Sequence, residues 1–202
     1  MLTLCKQFKS MMLCFSIVTY LLIGYAESGE PIHEAAKRGN LDEVKRLIED
    51  GANVDAKDEN NDTPLFIAVG QGHKEVTELL ILKGASVNAV CWLGYTPLHW
   101  AVTALGGEMD LAELLISKGA NVNAEDSKGW TPLAKAAYSG FIDLAELLIS
   151  KGANVNSVDK KGRTPLDLAN YSHHKELAEW SDPLKLHKSE QSYQSVLRGV
   201  GG

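Results

Sequence analysis

The sequence predicts an all-α chain, a solenoid of helix–turn–helix units joined by short β-hairpin fingers. Three observations carry this. Thr-Pro-Leu recurs at Thr63, Thr96, Thr131 and Thr164, at spacings of 33, 35 and 33 residues. Gly-Ala-x-Val-Asx recurs at Gly51, Gly84, Gly119 and Gly152. The segment Asp110–Asn123 returns letter for letter at Asp143–Asn156, 14 identical residues. A fixed period of roughly 20–50 residues is the signature of a repeat array. Helices this short cannot bury an apolar face alone, so neighbouring units must stack to make the core.

Residues 1–26 form a separate segment. They hold no acid; Lys6 and Lys9 precede an apolar run from Met11 to Tyr25, and Gly24 and Ala26 are small. That is the plan of a secretory signal cleaved after Ala26. The run of 15 residues is shorter than a spanning helix needs. The alternative is an uncleaved N-terminal anchor; a buried first helix lacks the amphipathic stripe it would require. Export is therefore expected, with membrane anchoring or an intracellular location as the alternatives.

The repeats follow at about 30–57, 58–90, 91–124, 125–158 and 159–182, within a domain spanning 27–182. Each unit has the same local logic. Thr supplies an N-cap hydroxyl and Pro occupies the first helical position. Ala68, Ala101, Ala136 and Ala169 are small where neighbouring helices must approach. Gly39, Gly72, Gly107 and Gly140 turn the chain into a second helix, whose stripe in one unit is Leu111, Leu114, Leu115 and Ile116. Lys-Gly closes that helix with a left-handed cap and a favourable charge.

The departures are informative. Asn61 holds the turn position of Gly94, Gly129 and Gly162, and asparagine is the next-best residue for a left-handed backbone. In the first unit Glu43 and Arg46 replace the apolar Val76 and Leu79 of the second, which suits an N-terminal cap facing water. Ser181, Asp182 and Pro183 in the last unit suit a C-terminal cap. The third unit carries two extra residues between Ala101 and Gly107, expected in the loop between its helices. Residues 183–202 read as a flexible polar tail.

Thr96–Ala101 reads TPLHWA, the phrase of the ankyrin-repeat family, and the sequence resembles that family over about residues 30–182. The resemblance implies the helical solenoid and a protein-binding role. It also implies that His33 and His99 tie neighbouring turns by hydrogen bonds, ties left open where Phe66, Ala134 and Asp167 stand instead.

Composition and motifs limit the chemistry. The chain has 202 residues, is 45% hydrophobic and 23% charged, and has a net charge of −6. Wholesale disorder, a polytopic membrane protein and a general nucleic-acid binder are all disfavoured. Without residues 1–26 the chain keeps 18 basic residues against 26 acidic ones, a net of −8, and Cys91 as its one cysteine. Cys91 has no His or Asn partner in a nucleophile motif and reads as a partly buried thiol. His173–His174 are adjacent and lack a cysteine cluster, so they read as surface residues. Sequons stand at Asn61 and Asn170, where about one is expected by chance; Pro64 follows the first and the second falls on a helix, so glycosylation is not expected. No cofactor, metal or catalytic residue is expected, and the chain reads as non-enzymatic and monomeric. The alternatives are a secreted effector or inhibitor of an enzyme or host protein, and an enzyme with an unrecognised site.

In the family the finger tips and the exposed side of each first helix line a concave face. Carried over by position, the second unit offers Glu59, Asn60 and Asp62. The third offers Trp92, Leu93, Tyr95 and Trp100. The fourth offers Ser127, Lys128, Trp130 and Tyr138, and the fifth Lys160, Lys161 and Arg163. Interface hot spots favour Trp, Tyr and Arg. Partner binding is therefore expected at Trp92, Leu93, Tyr95, Trp100, Lys128, Trp130, Tyr138 and Arg163. Removing Trp92 and Trp130 together is expected to abolish capture with little change in stability. Membrane contact is expected only through residues 1–26.

Overall fold

A computed structural model describes residues 31–91, 93–103 and 107–172. The leader, Trp92, residues 104–106, His173–His174 and the C-terminal cap and tail lie outside the described residues.

The chain divides into two compact units at Ala85/Ser86. The first holds α1 (Pro31–Lys37), α2 (Leu41–Glu49), α3 (Pro64–Gly70) and α4 (Lys74–Leu82). Helix α3 packs against α1 and α4, and α2 packs against both α1 and α4. Ile32, Val44, Leu65, Val69, Val76 and Leu80 are buried between them. The polar residues of α2 are exposed and paired: Arg46 bridges Glu43 at 2.7 Å and Asp50 at 2.8 Å. Exposed pairs like these add little stability but keep that face soluble.

The second unit holds α5 (Pro97–Thr103), α6 (Met109–Ser117), α7 (Pro132–Ser139), α8 (Ile142–Ser150) and α9 (Pro165–Tyr171). Helix α7 is central, packed against α5, α8 and α9, while α6 packs against α5 and α8. Leu98, Leu111, Leu115, Leu144, Leu148 and Leu168 form its core, with Ala101, Ala136 and Ala169 at the tight positions.

The capping logic holds in detail. Thr63, Thr131 and Thr164 each accept the third helical N–H, at 3.2 Å in every case. Such a cap contributes about 1 kcal/mol. Asp167 completes a reciprocal box by accepting from the Thr164 N–H at 2.8 Å, so it serves its own helix rather than a neighbouring turn. His33 makes the tie expected of it, its Nε2–H shared between the Ala56 and Asp62 carbonyls at 3.0 Å each.

The fingers are tighter than strand hairpins. In each, the left-handed residue closes the turn onto the first residue's carbonyl, and one backbone rung spans the finger: Asp58 N–H to Asp62 O, Cys91 to Tyr95, Asp126 to Trp130 and Asp159 to Arg163, at 2.9–3.0 Å. A single rung does not make a ladder, and no strand forms among the described residues. Asn61 adopts φ 59°, as its left-handed role requires. Gly94 adopts φ 75°, and a Cβ there would meet the Ser127 nitrogen at 2.8 Å, so glycine is needed both for the turn and for the neighbouring finger.

The structure also gives a reason for the Asx in the second repeated phrase. Asn88 donates to Gly119 O at 3.0 Å and accepts from Asn121 N–H at 2.8 Å. Asn123 does the same to Gly152 and Asn154, at 3.1 and 2.7 Å. A primary amide has both a donor and an acceptor, so one side chain clips each helix end to the preceding finger.

Candidate functional site

The fourth and fifth fingers are built on buried carboxylates. Asp126 Oδ1 accepts the N–H groups of Lys128 and Trp130 at 2.7 and 2.9 Å. Asp159 Oδ1 accepts those of Lys161 and Arg163 at 2.8 and 2.9 Å. Asp58 plays the same part in the second finger. Cys91 stands at this register in the third finger, where it is buried and free. The tips are joined in series, Ser127 N–H to Leu93 O at 2.9 Å and Lys160 N–H to Lys128 O at 3.0 Å.

Behind the tips lies an alternating row of rings and cations. Lys135 Nζ, on α7, sits 4.1 Å from the Tyr95 ring centroid and 4.8 Å from that of Trp130. It pairs with Asp126 Oδ2 at 2.9 Å and donates to the Tyr95 hydroxyl. The guanidinium carbon of Arg163 lies 5.7 Å from the far ring contact, the Trp130 centroid. Arg163 pairs with Asp159 at 2.6 Å, and the Trp130 indole N–H donates to the same carboxylate at 3.0 Å. The order is Tyr95, Lys135, Trp130, Arg163, each cation neutralised by its finger's aspartate. The buried Lys135 ammonium against its rings adds up to about 2 kcal/mol, and the part-exposed Arg163 about 0.5–1 kcal/mol.

The rim is aromatic and exposed. Trp100 stands edge-on to Tyr95 with centroids 6.4 Å apart, and Tyr138 lies 5.1 Å from Trp130. Leu93, Trp100 and Tyr138 are 38%, 37% and 41% exposed. Tyr95, Trp130 and Arg163 are half-buried, and Lys128 is exposed. Seven of the eight expected binding residues thus fall in this unit's described part, as one set of contacts and near neighbours. Trp92 lies outside it. Trp130 is tied into the framework far more than a surface residue, so its removal with little change in stability is not what the geometry supports.

Lys135 was not among the expected residues. Its signal is a lysine at the register that holds Ile67, Trp100 and Leu168 in the other Thr-Pro-Leu units and Glu34 in the first, preceded by Ala134 where His99 stands. The small Ala leaves a cation as the only large polar group on that turn.

His99 locks the third unit to the fourth finger. Thr96 N–H donates to Nδ1 at 3.2 Å, and Nε2–H donates to the Trp130 carbonyl at 3.0 Å, so the ring is held neutral. Burial holds its pKa below the usual 6.5. For Asp126 and Asp159 burial pushes upward, but backbone N–H groups with Lys135 or Arg163 outweigh it, and both lie below the usual 3.8. All three pKa values are lower folded than unfolded, so the unfolded chain binds more protons as pH falls. The His99 contribution is complete above pH 6.5 and is lost as the pH drops through and below it. The carboxylate contributions are complete above pH 3.8 and are lost below it. A plot of urea midpoint against pH is expected to fall in two steps, and His99→Gln is expected to remove the upper one.

Among the described residues no cluster of His, Cys, Asp or Glu is placed to hold a metal ion, and no helix is long and apolar enough to cross a membrane.

A family model described as ankyrin repeats, in three copies, matches residues 14–91, 32–126 and 98–180. The chain is 35% identical over 68 residues to the inactive serine/threonine-protein kinase TEX14 of Mus musculus, which covers 34% of this chain and 5% of that protein. It is 42% identical over 74 residues to alpha-latrotoxin-Lh1a of Latrodectus hasselti, covering 36% and 5%. It is 41% identical over 58 residues to protein phosphatase 1 regulatory subunit 27 of Mus musculus, covering 29% and 38%. In each case the match spans well under half of the relative's length.

Proposed function

Because the chain belongs to the ankyrin-repeat family, we propose that it is a non-enzymatic protein-binding module. Its working surface is the aromatic face of the third to fifth units. The observation that carries this is the row Tyr95–Lys135–Trp130–Arg163, which fixes the rings before any partner arrives. A partner then meets the exposed Trp100, Tyr138 and Leu93 without paying to order a floor beneath them. Large, rigid aromatics are the residues that dominate interface energies.

Trp100→Ala with Tyr138→Ala tests it. Both side chains are over a third exposed, so the urea midpoint is expected to shift by less than that of a core change. Proteins captured by the full chain, identified by mass spectrometry, are expected to be lost from the double variant. An unchanged captured set on the folded variant rules the face out.

The sequence of residues 1–26 supports export as part of the same reading, although the family match begins at residue 14, inside that run. N-terminal sequencing of the protein made in cells tests it. A mature chain starting at Glu27 supports export, and an intact Met1 in a soluble fraction overturns it.

A further inference from the structure

The fourth and fifth fingers are locally basic on a chain whose net charge is −6. Lys128, Lys160 and Lys161 are exposed at their tips. The finger aspartates do not offset them outwardly, because Asp126 and Asp159 are buried and paired with Lys135 and Arg163. Glu125 is the one exposed acid on these two fingers. The Lys160-to-Lys128 backbone bond holds the basic tips side by side, and the Ser127-to-Leu93 bond joins them to the apolar tip of the third finger. Trp130 connects the same fingers to the exposed Tyr138.

We infer that the segment received here is an acidic stretch of another polypeptide, with an aromatic or aliphatic anchor flanked by Asp or Glu. The inference rests on the protein-binding reading above and adds the chemistry of the partner. The anchor meets Trp100, Tyr138 and Leu93, and the flanking carboxylates meet Lys128, Lys160 and Lys161. Charges of this kind at a rim steer association and select the partner's sign. A nucleic acid or an anionic membrane also carries negative charge, but a long polyanion would meet the repulsion of a chain that is acidic overall.

The test is a random dodecapeptide display selected on the immobilised full chain, followed by synthetic versions of the peptides it returns. The expected result is enrichment of Asp and Glu around a Trp, Phe or Leu. Lys128→Glu/Lys160→Glu/Lys161→Glu is expected to weaken such a peptide by about tenfold or more, with the effect shrinking in high salt. A peptide with its acids changed to lysine is expected to bind this triple variant, which shows that the variant is folded and competent. Peptides without acidic enrichment, affinities unchanged in the triple variant, or no selected peptide at all would overturn the inference. Binding lost in Trp100→Ala/Tyr138→Ala but unchanged in the lysine variant overturns only the acidic partner. Binding that survives Trp100→Ala/Tyr138→Ala overturns the aromatic face itself. Lysine-dependent binding of an oligouridylate or of phosphatidylserine vesicles, in place of the peptides, assigns the patch to a different class of partner and also overturns it.

Discussion

Lys135→Met is expected to lower the unfolding free energy by about 3–5 kcal/mol, the usual cost of removing one partner of a buried ion pair. The ammonium is buried, as is its partner Asp126, at 2.9 Å. Methionine fills much of the volume but leaves a carboxylate in a low-dielectric site with only two backbone N–H groups. The rings of Tyr95 and Trp130 lose the cation that lies against both. The double change Asp126→Asn/Lys135→Met is the control. An asparagine oxygen can still accept from Lys128 and Trp130, and the unpaired charge is gone. The double variant is expected to recover most of the loss, since a buried pair replaced by neutral groups is often close to neutral in stability. Urea denaturation of wild type, Lys135→Met, Asp126→Asn and the double variant measures this. A double variant as unstable as the summed singles would show that Lys135 acts by packing alone.

Trp130→Ala is the second large effect, expected to cost about 2–4 kcal/mol, somewhat below a fully buried tryptophan because this one is half-exposed. The indole touches Lys135, Tyr138 and Arg163 and donates to Asp159. Trp130→Phe separates the parts. It keeps a ring for the cations but removes the 3.0 Å hydrogen bond to a buried carboxylate, a loss of roughly 1.5–3 kcal/mol. Equal midpoints for wild type and Trp130→Ala would mean that the row is decorative. The consequence for binding is practical: capture lost in Trp130→Ala reports stability and contact together, whereas Trp100 and Tyr138 report contact.

Much of this was legible because the repeat makes the chain its own comparison. Thr63, Thr131 and Thr164 are caps wherever they recur, and Asn61 must bend as Gly94 does because it stands in the same slot. His99 could be expected to tie turns, and it does. The polar middle of the face was less legible. Asp126 and Asp159 each take a side-chain cation that no single finger's sequence shows. Trp130 looked like a surface anchor, because hydrophobicity and position do not say which ring face is already occupied.

The sequence by itself determined the period, the helix starts and stops, and which residues stand on the fingers, since these depend on backbone propensities acting within a few residues. Only the tertiary structure decided which cation lies against which ring. Lys135 meets the Tyr95 hydroxyl across 40 residues of sequence, and Trp130 meets Asp159 across 29. Those meetings depend on the height and offset at which one finger stacks on the next. That offset comes from the packing of all the small and large side chains between the fingers, and no single repeat contains it.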